Sequence, residues 1–248
     1  TTAASTLQCQ VAGSAPGGVG GRIADELAKA GLKTFSYSVN GKKLWPQGRE
    51  TNPTIVSSRG TPRLKDYANT GPVVANISRG MYQNIYLEEY ARELGDAVES
   101  SEDFGKLLES ATLSTAAAKS PQGGLAQQLA VVAKLIATRR QRGAERDIFF
   151  VSAGGWDMHR ELTESLKTQF GNVNGAIKMF AAEMKAQGAW DSVVVSTSSD
   201  FARTLTSNGR GTDHAWAGNH VVLGGGVRGR RVYNSFPREL KKNGAQDV

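Results

Sequence analysis

Asp147-Ile-Phe-Phe-Val-Ser-Ala153 runs into Gly154-Gly-Trp-Asp157-Met-His159, and Ser192-Val-Val-Val-Ser-Thr-Ser198 runs into Ser199-Asp200-Phe-Ala-Arg203-Thr204. Each begins as a short apolar, β-branched or aromatic run and ends in polar residues. Such runs read as buried strands. Between them Leu162, Leu166, Phe170, Val173, Ile177, Phe180 and Met184 recur at steps of four and three. That period predicts an amphipathic helix from Leu162 to Gln187, closed by Gly188. Strand, helix and strand at this spacing predict a βαβ unit in a mostly parallel sheet. His220 to Leu223, followed by Gly224-Gly225-Gly226, reads as a third strand. The expected class is α/β, a mostly parallel central sheet flanked by helices. Ligands in such sheets sit just past the carboxyl ends of the strands.

Upstream, Leu129, Val132, Leu135 and Ile136 place a helix over Leu125 to Arg142, with arginines near its C-terminal end, where cations suit the helix dipole. Ser114 to Gly124 is a small-residue linker. Asn76 to Ala111 reads as largely helical, with Tyr82, Ile85, Tyr86, Leu94, Val98, Leu107 and Leu108 as apolar stripes and Gly95 and Gly105 as dividers. Thr34 to Val39 alternates and meets Asn40-Gly41, then Lys42 to Trp45, the signal of a hairpin with a type I′ turn. Glu50 to Pro72 is loop with a short strand at Thr54 to Ser57. Residues 12–21 form a Gly-rich loop feeding a helix from Val19 to Gly31. They invite a phosphate-loop reading that fails on context: no strand precedes them, and neither the dinucleotide fingerprint nor a Lys-Ser/Thr ending is present.

The length of 248 residues suits one domain over 1–248. A single cysteine excludes an internal disulfide framework and a Cys-based zinc site, and leaves Cys9 open to pairing with another chain. The net charge of +7 favours anionic partners. Arg139, Arg140, Arg142 and Arg146, and again Arg228, Arg230 and Arg231, read as a solvated helix end and a surface turn. No aromatic residues interleave with them, so nucleic acid ranks last among the partners. No apolar run is long enough to span a membrane. The first residues do not form an intact signal peptide, and the Asn76-Ile77-Ser78 sequon is compatible with a secretory route.

The chain has three histidines, and all fall near its C-terminal third. Asp157 with His159, and Asp200 with Arg203, emerge from the ends of the two expected strands. Asp213-His214 follows in a polar loop, and Asn219-His220 opens the third strand. Carboxylates and imidazoles converging at strand ends are what a divalent cation needs. Arg203 has the planar fork that suits a sulfate or phosphate. Spacing alone leaves a second reading open, in which these side chains cap loops and bond to backbone.

At these residues a resemblance emerges. Gly-Gly-Trp-Asp-Met-His, Ser-Asp-Phe-Ala-Arg-Thr, Asn-Gly-Arg-Gly-Thr-Asp-His-Ala-Trp and Asn-His-Val-Val-Leu-Gly-Gly-Gly-Val together resemble the family named domain of unknown function 1501. That family is similar to the alkaline phosphatase/sulfatase superfamily of metal-dependent hydrolases. The motifs cover residues 147–237 best, and Gly18 to Gly143 is similar more loosely to the family's middle region. The resemblance implies an alkaline-phosphatase-like fold with metals at the strand ends. It implies Asp157 and His159 on one metal, Asp200 on another, and His214, with Asp213 and His220, in the later histidine positions. The cofactor it implies is zinc, calcium, magnesium or manganese. Three departures stand out. Asp200 and Ala202 replace the usual Glu and Gly, Phe201 stands where the superfamily has a His, and the family's N-terminal strand, early Asp and hydroxyl nucleophile have no match. The expectations are therefore a hydrolase of phosphate or sulfate esters, or a non-catalytic exported module on the same fold. The module would bind sulfated or phosphorylated glycan or another subunit; for the hydrolase, a companion N-terminal fragment would supply the unmatched residues. The resemblance implies an extracellular or periplasmic location.

Overall fold

A computed structural model describes residues 17–58, 63–64, 66–215, 218–235 and 238. Cys9, the first part of the 12–21 loop and residues 236–237 of the best-matched stretch lie outside them. The architecture is α/β, built on a small parallel sheet of three strands in the order β2–β1–β3, with β1 at Thr34–Ser38, β2 at Thr54–Ile55 and β3 at Arg146–Phe150. β1 runs parallel to both neighbours, pairing Tyr37 with Thr54 and Thr34 through Ser38 with Arg146 through Phe150. Its two faces differ as the period of two requires. Phe35 and Tyr37 face the core, where the Tyr37 ring stacks on Phe149 of β3 at 5.5 Å and on Phe104 at 6.1 Å. Ser36 and Ser38 are buried on the other face, and their hydroxyls donate to the carbonyls of Pro46 and Gly41.

The hairpin that Asn40-Gly41 predicts does not form. The chain bends there, with Gly41 at φ +68° but Asn40 outside the positive-φ region that a type I′ turn also requires, and both hydrogen-bonding edges of β1 are taken by β2 and β3. Residues 42–48 run instead to the first helix, α1 (Val19–Lys29). Gly18 and Gly21 donate their N–H groups to the carbonyls of Gln47 and Trp45 at 2.9 and 3.1 Å. A Cβ on Gly21 would lie 1.9 Å from the Gln47 carbonyl. The glycine run is thus a close-packing surface, with the Gly18 and Gly21 amides occupied by carbonyls, which accounts for it without a phosphate.

Two helices cross over from β2 toward the core, α2 (Tyr67–Ser78) and α3 (Ile85–Ser110). The break falls between them rather than at Gly95 or Gly105, which α3 runs through. Asn84 caps α3 by accepting from the N–H groups of Tyr86 and Leu87. Of the expected stripe, Leu108 reaches the core, while Ile85, Tyr86 and Leu94 are exposed. After the short α4 (Ala116–Lys119) comes α5 (Gly124–Ala137), mostly buried, then a one-turn α6 (Arg139–Arg142). Arg142 departs from the solvated helix end expected of it. Its side chain is 6% exposed and holds Asp147, itself 10% exposed, at 2.7 Å. It also donates to the Tyr37 hydroxyl and the Leu135 carbonyl.

The long helix α7 (Leu162–Ala186) packs Met179, Phe180 and Met184 against α5. It then leads to β4 (Val194–Ser196). The expected βαβ unit does not form. β4 pairs antiparallel with β7 (Val222–Gly224), Val195 opposite Leu223, and among the described residues it does not pair with β3. The pairing is close: a Cβ on Gly224 would lie 2.2 Å from the carbonyl of Val193, the residue before β4. Periodicity predicts the order of elements and not which strands pair. The mostly parallel central sheet is therefore a parallel sheet of three strands beside separate antiparallel ladders.

Glu183 of α7 ties the core to the linker before α4. Fully buried, it accepts from the N–H groups of Ser114 and Thr115, the Thr115 hydroxyl and Gln187. Burial alone would raise its pKa, but these donors outweigh it and hold the carboxyl below its ordinary value of 4.5. A depressed folded-state pKa stabilises the fold fully above the unfolded value, and the contribution is lost as pH falls through the folded one. Glu183→Gln is expected to cost about 1–3 kcal/mol at neutral pH and to flatten the loss of stability below about pH 4.5. Denaturant unfolding of both proteins at pH 7 and pH 3.5 checks this.

Candidate metal centre

The segment after β3 is held by glutamines from two helices. Gln128 of α5 exchanges two hydrogen bonds with Ser152, donating to its carbonyl at 2.8 Å and accepting from its N–H at 2.9 Å. Gln169 of α7 donates to the carbonyls of Gly154 and Gly155. Trp156 closes on Ala153 through its indole N–H and meets Phe170 edge-on, with ring centroids 5.4 Å apart. The exposed front half of α7 thus serves this segment, which delivers Asp157 and His159. Sequence reasoning missed Gln128, although the signal was present: it falls on the apolar stripe of α5, three residues after Leu125.

The second element is a hairpin where the sequence suggests a strand end and a loop. β5 (Ala202–Ser207) and β6 (Thr212–Ala215) pair antiparallel, Ala202 opposite Ala215 and Arg203 opposite His214. The side chain of Asn208 accepts from the N–H groups of Arg210 and Gly211, an Asx turn, with Gly209 at φ +91°. Asn208-Gly209 is the cue in the sequence. The strands themselves carry Thr, Ser and Arg rather than alternating apolar residues.

The hairpin and the 152–159 segment converge on one carboxylate oxygen. Oδ1 of Asp157 lies 2.7 Å from Nε2 of His214 and 2.9 Å from Nε2 of His159. The two imidazoles stack at 5.3 Å, and the His214 ring also stacks on Phe201, 3.9 Å away and 12° from parallel. The side chains of Asp157, His159 and His214 are 63%, 52% and 43% exposed, so the cluster opens to solvent. The hydrogen bond from His214, then the charge and hydrogen bond of His159, hold the Asp157 carboxyl below its ordinary value.

One ligand atom from each of the three residues lies within 4.8 Å of the others. A cation bound at about 2.1 Å in tetrahedral geometry needs ligand atoms about 3.4 Å apart, so small side-chain movements suffice. One carboxylate and two imidazoles fit such an ion chemically. The remaining expected ligands stand apart from this group. Asp213 borders it, its Oδ1 3.8 Å from Nδ1 of His159 and taken by the Asn208 amide. Asp200 precedes β5 and His220 precedes β7; both are exposed and outside the cluster. Arg203, expected to meet a substrate anion, donates from Nη1 to the Thr212 carbonyl at 2.8 Å and from Nη2 to the Trp156 carbonyl at 2.5 Å.

Gln128→Leu keeps the side chain's bulk and leaves the Ser152 N–H and carbonyl without their partner. We expect a loss of about 1–3 kcal/mol and faster amide exchange over residues 152–157 than in α5. Hydrogen exchange read by mass spectrometry checks it.

In comparison with known sequences, the family described as "Protein of unknown function (DUF1501)" matches residues 77–246. That span contains the whole cluster and excludes β1 and β2. No curated protein and no solved structure matches the chain.

Proposed function

The chain belongs to the DUF1501 family of proteins of unknown function, and on that premise we propose that Asp157, His159 and His214 hold one divalent cation at which phosphate or sulfate esters are hydrolysed. The observation that carries the reading is the convergence of these three side chains, from two separate segments, within 4.8 Å. The likeness of the motifs to the alkaline phosphatase/sulfatase superfamily supports the same chemistry.

Asp157 supplies the anionic oxygen and each histidine a neutral nitrogen through Nε2. Among zinc, manganese, calcium and magnesium, two imidazoles favour zinc over the three harder, oxygen-seeking ions. Three protein ligands leave a coordination position for solvent or substrate. A cation held there supplies Lewis-acid polarisation of an ester oxygen and a more acidic water. Phe201 fixes the plane of the His214 ring through its stack. The exposure of all three ligands suits a bulky anionic substrate such as a sulfated or phosphorylated glycan, and the net charge of +7 attracts it.

A second reading, a non-catalytic exported module that docks on another subunit, rests on a different observation. Val73, Ile77 and Met81, and Ile85, Tyr86 and Tyr90 at the start of α3, are large apolar side chains left exposed. Elemental analysis after loading with zinc or manganese, together with assay on an aryl phosphate and an aryl sulfate, separates the two. The hydrolase reading expects about one ion per chain and turnover, both lost in Asp157→Asn and His214→Ala. Metal without turnover favours the module. A chain that takes up neither ion overturns the metal centre.

A further inference from the structure

The two segments that carry the ligands are joined by one side chain. Arg203 sits on β5 directly across from His214. Its Nη2 donates to the carbonyl of Trp156, the residue before Asp157, and its Nη1 to the carbonyl of Thr212, two residues before His214. Its guanidinium carbon lies 5.3 Å from the centroid of Phe201, whose ring stacks on His214. Both terminal nitrogens of the planar fork are thus committed to backbone, one on each side of the cluster.

We infer that Arg203 is a positioning residue, a strut that sets the distance between the Asp157–His159 segment and the His214 strand so that one cation can meet all three ligands. The inference rests on the cation reading above and gives Arg203 a role other than gripping a substrate anion. The geometry favours a strut on chemical grounds. Two carbonyls from separate segments are bridged by a planar group with several fixed donors, which lysine does not offer. The cation–π contact with Phe201 holds the guanidinium in that plane and at the same time backs the His214 ring.

The strut makes a prediction whose sign differs from that of simple electrostatics. Removing a positive charge beside a cation site should tighten cation binding; removing the strut should weaken it. The experiment is a titration of the metal-free protein with cobalt(II), read by its visible absorption, for wild type, Arg203→Met and Arg203→Lys. Far-UV circular dichroism accompanies each as a check on folding. Both variants are expected to bind about 10–100-fold more weakly than wild type, as when a residue that orients ligands is lost. The lysine variant keeps the charge and is expected to lose affinity all the same. Affinity equal to or tighter than wild type in Arg203→Met overturns the strut. Absence of cobalt binding in the wild type overturns the cation reading instead. The strut is then decided by amide exchange in the metal-free protein: Arg203→Met is expected to speed exchange over residues 204–214 and 156–159 and not in α5. Unchanged exchange there overturns it.

Discussion

The pairing of β1 with β3, locked by a buried ion pair, is the constraint on which the rest of the molecule depends. Parallel strands this far apart in sequence are held together only if the chain between them folds back over the sheet. Tyr37 sits at the centre of that arrangement, stacked between Phe104 of the crossover and Phe149 of β3. Its hydroxyl accepts from Arg142, which in turn holds Asp147 bidentately. Burial, moderated by the Arg142 charge, pushes the Tyr37 hydroxyl up to about 12, so it remains a neutral acceptor at physiological pH. The pair is kept by completeness: Arg142 also donates to Leu135 and Thr138, and a buried charge without such partners would be destabilising by several kcal/mol.

From this frame the site is assembled in stages. β3 ends at Phe150, and Gln128 extends its order by one more pair of hydrogen bonds at Ser152. Gln169 and Trp156 carry it to Asp157. The hairpin β5–β6 is a separate unit, closed by its own Asx turn. It meets the segment through Asp157, Arg203 and the close seat of Gly211 on the His159 backbone. The three side chains of the cluster therefore come from two bodies of different origin, one anchored in the core and one folded locally. The cluster is only as well formed as the contacts joining them.

How far this was legible in the sequence depends on which forces are local. The helices α5 and α7 were readable because each buries a periodic apolar face; α1, which buries Gly20, Gly21, Ala24 and Asp25 and leaves Ile23 exposed, was readable from its flanking glycines. The three-strand parallel sheet was not, because its pairings are long-range: Asn40-Gly41 has the local chemistry of a hairpin, yet the occupied edges of β1 overrode it. Conversely β5–β6 went unseen because a hairpin held by turn geometry and polar cross-strand contacts has no apolar alternation to read. Rare imidazoles beside aspartates singled out Asp157, His159 and His214, which the backbone brings together. The same rule also picked Asp200 and His220, which lie outside that cluster. Residue type states what can ligate; only the course of the backbone decides which side chains meet.

The central claim is that Asp157, His159 and His214 form one cation site. Anomalous diffraction at the zinc edge, from crystals of the zinc-loaded protein, tests it most directly. The account predicts a single strong peak bonded to a carboxylate oxygen of Asp157 and to Nε2 of both His159 and His214. A zinc-loaded crystal with no peak there, or with zinc held by Asp200 or His220 instead, would contradict it.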